Sequence, residues 1–510
     1  PFGPYAIDLP EQRDLYIHSA TIWTSGPDGI INNGAMLVRN GSVAAIWDMD
    51  RGNVSLDIGS ATVIDASGLH ITPGIIDAHS HTGLFGLGVN ESGQAITSEV
   101  RIQDAVDPSD VNFYRQLASG VTTVMSLHGS ANPIGGQSKT QKVRWGARHP
   151  DDMHFQGATP GIKFALGENV KQSNWGDNNT TRYPQTRMGV ETIMRDRFTA
   201  AREYARNRRS GDARIDLELE PLAQILAGER LIHCHSYRQD EILMLCKLAE
   251  EFGFTIGTFQ HGLEVYKVAE HVKEHAIGAS IFSDWWAFKF EVFDAIPFGG
   301  PLQHEVGVNT SYNSDSNELV RRMNTEAAKA VRYSRGRIDP ATALKFVTLN
   351  PAIQLGIDDR VGSLEVGKDA DFAVWNGPPL SSLSRCVATY IDGREYFSTD
   401  KDAELRDRID AERDRLINKI LSDGRPKNDD ADEDTTEDEA TDPVGTDADP
   451  QLARRSSSRE SMRQRIMREQ LQARVRTQML EALNTGREPA HDNCAVCGCS
   501  DLHPLHSLMQ

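Results

Sequence analysis

Ile71-Thr-Pro-Gly-Ile-Ile-Asp-Ala-His-Ser-His81 is a short apolar run that ends in two histidines one residue apart, His79 and His81. In a β-strand, residues i and i+2 project from the same face, so both imidazoles can reach one point at the end of the strand. Two such histidines can hold a single metal ion. A lone His-x-His pair also occurs by chance, and its meaning therefore depends on what the rest of the chain supplies.

The middle of the chain, residues 74–355, alternates short apolar runs with helical patterns, which is typical of a parallel α/β fold. Eight candidate strands lie in this region, ending near His79, Ser126, Val143, Leu166, His233, Gln260, Phe282 and Asn313. Eight strands over this length predict a (β/α)8 TIM-like barrel, with a doubly wound sheet as the alternative.

Alternating β-type patterns flank the barrel on both sides, and Asn40-Gly41 between two of these runs indicates a hairpin. We therefore predict a small β-sandwich domain built from both chain ends. The predicted division is a linker at 1–13, the first part of the β-sandwich at 14–73, the barrel at 74–355, the second part of the β-sandwich at 356–400, a charged helix at 401–424, an acidic disordered linker at 425–450, and a helical or flexible tail at 451–510.

The composition is that of a soluble globular protein, with 39% hydrophobic and 25% charged residues. No apolar run approaches the ~20 residues needed to span a bilayer. The net charge of −19 argues against nucleic acid or an anionic membrane surface as a partner. The chain begins at Pro1 without an initiating Met or a signal peptide, so the sequence leaves cytoplasmic and exported locations open. It also leaves open whether the protein forms a homo-oligomer.

Catalytic residues of a barrel gather at the C-terminal ends of its strands, and several of the predicted ends carry histidine or carboxylate. These candidates are His79 and His81 on the first strand, His233 and His235 on the fifth, His261 after the sixth and Asp315 after the eighth, and the fourth strand carries Lys163. Such ligands predict a hydrolytic Zn²⁺-type site. Lys163 lies in an apolar strand, where an unpaired ammonium is costly, which favours a functional role.

The remaining motifs point to one family. They are Pro73-Gly-Ile-Ile-Asp-Ala-His-Ser-His81, Gly120-Val-Thr-Thr-Val124, Ile162-Lys-Phe-Ala165, Gln260-His-Gly262, Asn313-Ser-Asp315 and Asp359-Arg-Val-Gly-Ser-Leu-Glu-Val-Gly-Lys-Asp-Ala-Asp-Phe-Ala-Val-Trp375. With these motifs the chain resembles the amidohydrolase superfamily, in the branch of imidazolonepropionase-like and Xaa-Pro-dipeptidase-like hydrolases. The resemblance covers residues 14–400 and implies a distorted metal-bearing barrel joined to a β-sandwich.

The resemblance also implies roles for individual residues. It makes the metal ligands His79, His81, His233, His261 and Asp315, with His235 as the alternative to His233. Lys163, carboxylated on its amine, would bridge two ions, and Glu168 is its alternative. One or two divalent ions, expected to be Zn²⁺, would activate a water, and Asp315 would serve as general base and then general acid. The implied reaction is hydrolysis of a C–N bond in an amide, a cyclic amide or a dipeptide.

Substrate contacts are expected from loops on the catalytic face of the barrel. The candidates are Gln137 in a Gly-rich loop after the second strand, Tyr237 and Arg238 after the fifth, and Trp285 and Trp286 after the seventh. Arg238 could pair with a substrate carboxylate or form a structural salt bridge. The expected substrate is a small-molecule amide or peptide, whose identity the sequence does not reveal.

Three cysteines close to the C-terminus, Cys494, Cys497 and Cys499, have a spacing that predicts either a second metal site or a flexible tail with reactive thiols. Two other functions compete with the hydrolase. A mononuclear ring deaminase of the same superfamily is one, and Lys163 argues against it. A catalytically idle binding protein is the other, and the complete set of ligands argues against that.

Overall fold

The computed structural model describes residues 9–52, 57–84, 89–172, 181–211, 214–283, 285, 287 and 289–422. Within these ranges, no helix combines the length and the apolar character that crossing a membrane requires. The predicted acidic linker, the tail, and with them Cys494, Cys497 and Cys499, lie outside the described residues.

The described residues contain sixteen strands and eleven α-helices. The strands are β1 Leu15–Trp23, β2 Ile30–Arg39, β3 Ser42–Asp48, β4 Thr62–Asp65, β5 His70–Pro73, β6 Ile75–Ser80, β7 Val121–Ser126, β8 Ile134–Lys142, β9 Gly161–Ala165, β10 Leu231–His235, β11 Ile256–Gln260, β12 Ala276–Ile281, β13 Thr310–Tyr312, β14 Phe372–Trp375, β15 Cys386–Ile391 and β16 Arg394–Ser398. The helices are α1 Val111–Leu117, α2 Glu168–Lys171, α3 Arg187–Ser210, α4 Leu219–Leu226, α5 Gln239–Phe252, α6 Ala269–His275, α7 Gly299–Val306, α8 Met323–Tyr333, α9 Pro340–Lys345, α10 Leu349–Leu355 and α11 Thr399–Ser422.

The strands that precede the barrel in the chain and those that follow it build one sheet together. Its strand order is β16-β15-β14-β5-β1-β2-β3, with β4 beside β1. Its two halves meet where β14 pairs antiparallel with β5, Phe372 opposite Pro73. The predicted hairpin at Asn40-Gly41 joins β2 to β3, and both residues have positive φ angles, +49° and +80°. Positive φ at both central positions is the geometry of the tight hairpin turn that favours Asn-Gly.

The predicted barrel is confirmed: β6 to β13 form an eight-stranded sheet in chain order. Its strands end within two residues of the predicted positions. One strand differs from a (β/α)8 barrel, because β8 runs antiparallel to both β7 and β9. The connection from β7 to β8 is only residues 127–133, which is too short for the crossover that a parallel neighbour would need. Gln137, predicted in a loop after the second strand, therefore lies inside β8.

Successive side chains of the barrel strands point alternately to the outside and to the interior of the barrel, as the alternating pattern of the sequence predicts. Ile162, Phe164 and Ile232 point outward into a buried apolar cluster with side chains of α3 and α5. The residues between them, such as Lys163 and His233, consequently face the interior. The helix α3 begins after Thr186, whose hydroxyl accepts a hydrogen bond from the N–H of Gly189, as an N-cap should.

A buried ion cluster joins the third barrel strand to the chain segment that carries β14 and β15. Lys142 Nζ lies 2.8 Å from Asp369 Oδ2, 3.0 Å from Asp371 Oδ2 and 2.6 Å from Asp392 Oδ1. Burial alone would lower the pKa of Lys142, but the three carboxylates raise it. The lysine is therefore charged, and its removal would leave buried carboxylates without their central cation.

We predict that Lys142→Met lowers the free energy of unfolding by about 3–5 kcal/mol, the cost of breaking a buried ion pair on one side. Lys139→Met is the matched control, because Lys139 is on the same strand and pairs with an exposed carboxylate, that of Asp151. That control should cost less than about 1 kcal/mol. Urea unfolding of both variants measures the difference, and equal losses would contradict a stabilising role for the cluster.

Candidate metal centre

Six of the predicted polar residues belong to strand ends that surround the barrel interior. His79 is near the end of β6 and His81 follows it, Lys163 is in β9, and His235 ends β10. His261 and Asp315 follow β11 and β13. His261 and Asp315 have left-handed backbones, with φ angles of +57° and +49°, which non-glycine residues adopt at a cost that is commonly found at functional sites.

The carboxylate of Asp315 lies at the centre of three imidazoles. Its oxygens are 3.6 Å from His79 Nε2, 3.2 Å from His81 Nε2 and 3.4 Å from His261 Nε2. One ligand atom from each of His79, His261 and Asp315 fits within a 4.8 Å span. Lys163 Nζ completes the group, 3.2 Å from His79 Nε2.

Hydrogen bonds from the outside orient two of these imidazoles. His79 Nδ1 lies 3.3 Å from Gln260 Oε1, and that amide is fixed because its Nε2 donates to the carbonyl of Ala78. His81 Nδ1 lies 3.0 Å from the carbonyl oxygen of Leu127. Because both acceptors can only receive a hydrogen bond, the proton of each ring is on Nδ1 and the lone pair of Nε2 faces inward. Metal-binding histidines are held in this way.

The third imidazole is oriented by Asn313, whose side-chain amide lies 3.1 Å from His261 Nδ1. Turned by 180°, that amide would offer Oδ1 to Nδ1–H, and His261 Nε2 would then also present its lone pair to the centre. Lone pairs of several imidazoles facing one carboxylate at these distances repel each other unless a cation lies between them. The donor set therefore fits a divalent metal ion.

On the fifth strand, the structure brings His235 rather than His233 beside the cluster. The ring of His235 is 5.2 Å from that of His261, and both of its buried nitrogens have no hydrogen-bond partner among the described residues. His233 lies deeper, where a Cβ added to Gly161 would be 3.0 Å from its Nε2. The two residues face the same way, so the alternation of the strand could not tell which of them reaches the site.

Of the two ligands predicted for the fourth strand, Lys163 and Glu168, only Lys163 lies in the cluster around Asp315 in the described structure. Lys163 is fully buried and enters the cluster, whereas Glu168 Oε1 pairs with Lys289 Nζ at 2.9 Å. Glu168 thus has a cationic partner of its own outside the group around Asp315.

The buried site keeps three of its imidazoles neutral, those of His79, His235 and His261. Burial lowers the pKa of His261 to about 3, and it lowers the pKa of His79 and His235 far below the ordinary range. Burial would raise the pKa of Asp315, but the side chains around it, His81 first and then His261 and Lys163, lower it overall. Neutral imidazoles beside an ionised carboxylate are the protonation states that a metal ion requires.

Asp77 ties the first barrel strand to the segment that carries Asp315. Its Oδ1 accepts from the backbone N–H of Ser314 at 3.0 Å, and its Oδ2 accepts from the hydroxyl of Ser314 at 2.5 Å. Next to this contact, the N–H of Asp315 donates to the carbonyl of His79 at 3.1 Å. Burial raises the pKa of Asp77 to about 7, while the hydrogen bonds of Ser314 act in the opposite direction.

The predicted substrate residues have different surroundings. Tyr237 is buried, with its ring 4.5 Å from that of His235, and Arg238 donates to Asp240 in the first turn of α5. Trp285 stacks on Phe282, which stacks in turn on His261. The amide of Gln137 donates to the carbonyl of Ser98, and Trp286 lies outside the described residues.

His128, a buried histidine two residues after β7, is not among the residues predicted from the sequence. Its Nε2 accepts from the N–H of Glu91 at 2.8 Å, and its Nδ1 lies 2.8 Å from the carbonyl oxygen of Gly129. A Cβ on Gly135 would come within 2.8 Å of this ring, so the Gly-rich run at the start of β8 makes room for it. The only signal in the sequence was the place of His128 after a strand.

Comparisons with known proteins agree with this geometry. A model of the amidohydrolase family matches residues 300–421. The chain is 30% identical over 434 residues to the amidohydrolase tasK of Hapsidospora irregularis, a match that covers 76% of this chain and 43% of that protein. It is 28% identical to an imidazolonepropionase of Shewanella baltica, over 69% of this chain and 88% of that protein. The chain thus spans less than half the length of tasK.

A solved structure agrees with these relatives. The crystal structure of an amidohydrolase from Thermotoga maritima MSB8 superposes with a TM-score of 0.67 and is 31% identical, and the match covers 75% of this chain and 100% of that one. The family that the motifs predicted is therefore confirmed, and the chain belongs to the amidohydrolase superfamily.

Proposed function

We propose that the protein is a metal-dependent hydrolase that cleaves a C–N bond in a small amide, cyclic amide or dipeptide. The observation that carries this proposal is the convergence of the histidine Nε2 atoms on the Asp315 carboxylate, with Lys163 beside them. Several of the relatives bear the names of hydrolases that act on such bonds, imidazolonepropionase among them.

The residues that would hold the metal are His79, His81, His235, His261 and Asp315. His235 replaces His233 in the proposed set, because neither of its nitrogens has a hydrogen-bond partner within the described part of the chain and its ring lies beside His261. When bound, a Zn²⁺-type ion would supply Lewis-acid activation of a water and of the scissile carbonyl. Lys163, carboxylated on Nζ, would provide the ligand that a second ion needs.

Proton transfer falls to Asp315. Because its pKa is lowered, the carboxylate is ionised at neutral pH and can accept a proton from the attacking water at one of its oxygens. The same oxygen then delivers that proton to the leaving nitrogen, so that one residue serves as base and acid in turn. The hydrogen bond from the N–H of Asp315 to His79 fixes where the carboxylate is during both steps.

On the substrate side, Tyr237 packs against His235, and Trp285 reaches His261 through Phe282. We assign Tyr237 and Trp285 to the wall of the site. Arg238 and Gln137 are bound to Asp240 and to Ser98, which argues for structural roles. Lys163 favours the hydrolase over the mononuclear deaminase, because a deaminase of that kind has no need of a bridging ligand.

We predict that the purified protein carries one to two equivalents of a divalent metal in the barrel. Elemental analysis of a chain that ends at Ser422 tests this, because the truncation removes Cys494, Cys497 and Cys499 as competing ligands. A truncated protein that stays metal-free, even after reconstitution with Zn²⁺, would refute the proposed function.

The two histidines of β10 should differ in their effect on that metal. We predict that His235→Ala loses most of the bound metal, because it removes a buried nitrogen at the cluster. His233→Ala should retain the metal and lose only stability, because its ring lies against Gly161 and Gly257. Metal content per folded protein separates the two outcomes, and the reverse order would restore His233 as the ligand.

Asp315→Asn should abolish turnover while much of the metal stays bound. The amide can still offer an oxygen to a metal ion, but it cannot accept a proton from water near neutral pH. General acid–base assistance is worth ~10²–10⁴-fold in rate, and we expect a loss of at least that size. Turnover is measured on a panel of dipeptides, lactams and acylated amino acids, with His79→Ala as the control that should lose metal and activity together. Near-normal turnover at full metal occupancy would show that another residue is the base.

A further inference from the structure

His235 differs from the other imidazoles of the cluster in how it is oriented. His79, His81 and His261 each have a polar partner for Nδ1, namely Gln260, the carbonyl of Leu127 and Asn313. Neither nitrogen of His235 has such a partner among the described residues. The orientation of its ring must therefore come from packing, and the ring that packs against it is that of Tyr237. The two rings are T-shaped, with centroids 4.5 Å apart and an interplanar angle of 71°.

Tyr237 is itself held by a cation. The Nζ atom of Lys289 lies over its ring, 4.8 Å from the centroid. A buried ammonium at this distance is attracted by the negative face of an aromatic ring. Tyr237 thus contacts both a cation and an imidazole, and the attraction to the cation limits how far the ring can tilt or slide away from His235.

Lys289 is in turn anchored to the end of the fourth barrel strand. Its Nζ is 2.9 Å from Glu168 Oε1 and 2.9 Å from Glu291 Oε1. The other carboxylate oxygen of Glu291 accepts the N–H of Glu168 at 2.9 Å. At Gly167, φ is +86° and a Cβ would lie 2.9 Å from Glu291, so this approach of Glu291 requires glycine.

We propose that Lys289 is a positioning residue that holds Tyr237 against His235, and that Glu168, the predicted alternative ligand on the fourth strand, is its anchor. The proposal rests on the proposed function, in which His235 binds the metal. It explains why one imidazole of the cluster needs no hydrogen bond from outside: the ring contact and the cation behind it replace that hydrogen bond. Lys289 acts through Tyr237, so its effect should appear in metal affinity and in the geometry of the ligands.

The test is the Zn²⁺ affinity of Lys289→Met, measured by competition with a chelator on the full chain in which Cys494, Cys497 and Cys499 are changed to serine so that they do not compete for the metal. Loss of an outer partner of a metal ligand typically weakens affinity 10–100-fold, and we expect a loss in that range. Lys289→Arg keeps the charge over the ring and should recover most of the affinity. The visible spectrum of the Co²⁺-loaded protein should change in Lys289→Met and resemble the wild type in Lys289→Arg.

Lys267→Met is the matched control. Lys267 also lies over a tyrosine ring, that of Tyr266, and pairs with two carboxylates, those of Glu264 and Asp294. The Lys267→Met substitution should leave both the metal affinity and the Co²⁺ spectrum unchanged. The triple variant Lys289→Met/Glu168→Gln/Glu291→Gln removes both carboxylates together with the cation. Its loss of affinity should match that of Lys289→Met, which excludes carboxylate repulsion as the cause.

The proposal would be overturned if Lys289→Met had the same Zn²⁺ affinity and the same Co²⁺ spectrum as Lys267→Met. Failure of the wild type to bind Zn²⁺ would instead refute the proposed function, and a second measurement then decides the positioning role by itself. Crystal structures of the metal-free wild type and of Lys289→Met should show the rings of Tyr237 and His235 displaced in the variant. Unmoved rings would contradict the role of Lys289 whether or not the protein binds metal.

Discussion

The contact between Asp77 and Ser314 joins the first barrel strand to the end of the last one. Two hydrogen bonds from Ser314 reach one carboxylate, and beside them the N–H of Asp315 reaches the carbonyl of His79. The residues that follow β13 are thereby held against β6, and the Asp315 carboxylate is brought to His79 and His81. Without this closure the ligands of the first and last strands would have no fixed distance, so the candidate centre depends on it.

Within that frame, burial and orientation divide the chemistry between the residues. His79, His235 and His261 are neutral because charging them in the buried interior is costly, and Asp315 is ionised because the side chains around it, Lys163 among them, favour its charged form. Most of the imidazoles are aimed by polar groups outside the cluster. His235 is oriented by an aromatic ring instead, so that Lys289 and its anchor at the end of the fourth strand also affect the geometry of the centre.

Much of this fold could be predicted from the sequence, because strand periodicity and strand ends are local properties. The motif at His79 and His81, the eight barrel strands and the hairpin at Asn40-Gly41 follow from that local pattern. The direction of β8 is set by the length of the connection before it, which a count of strands does not consider. The choice between His233 and His235 depends on depth inside the barrel, and the partner of Glu168 comes from a distant loop. Neither of these is encoded in residue spacing along one strand.

The most direct test of the metal centre is an anomalous difference map from crystals of the Zn²⁺-loaded protein, collected on both sides of the zinc absorption edge. We predict a peak between the Nε2 atoms of His79 and His81 and the carboxylate of Asp315, with His235 and His261 in contact with the bound ions. The absence of a peak at this position, or a peak coordinated by His233 with His235 turned away, would contradict the proposed centre.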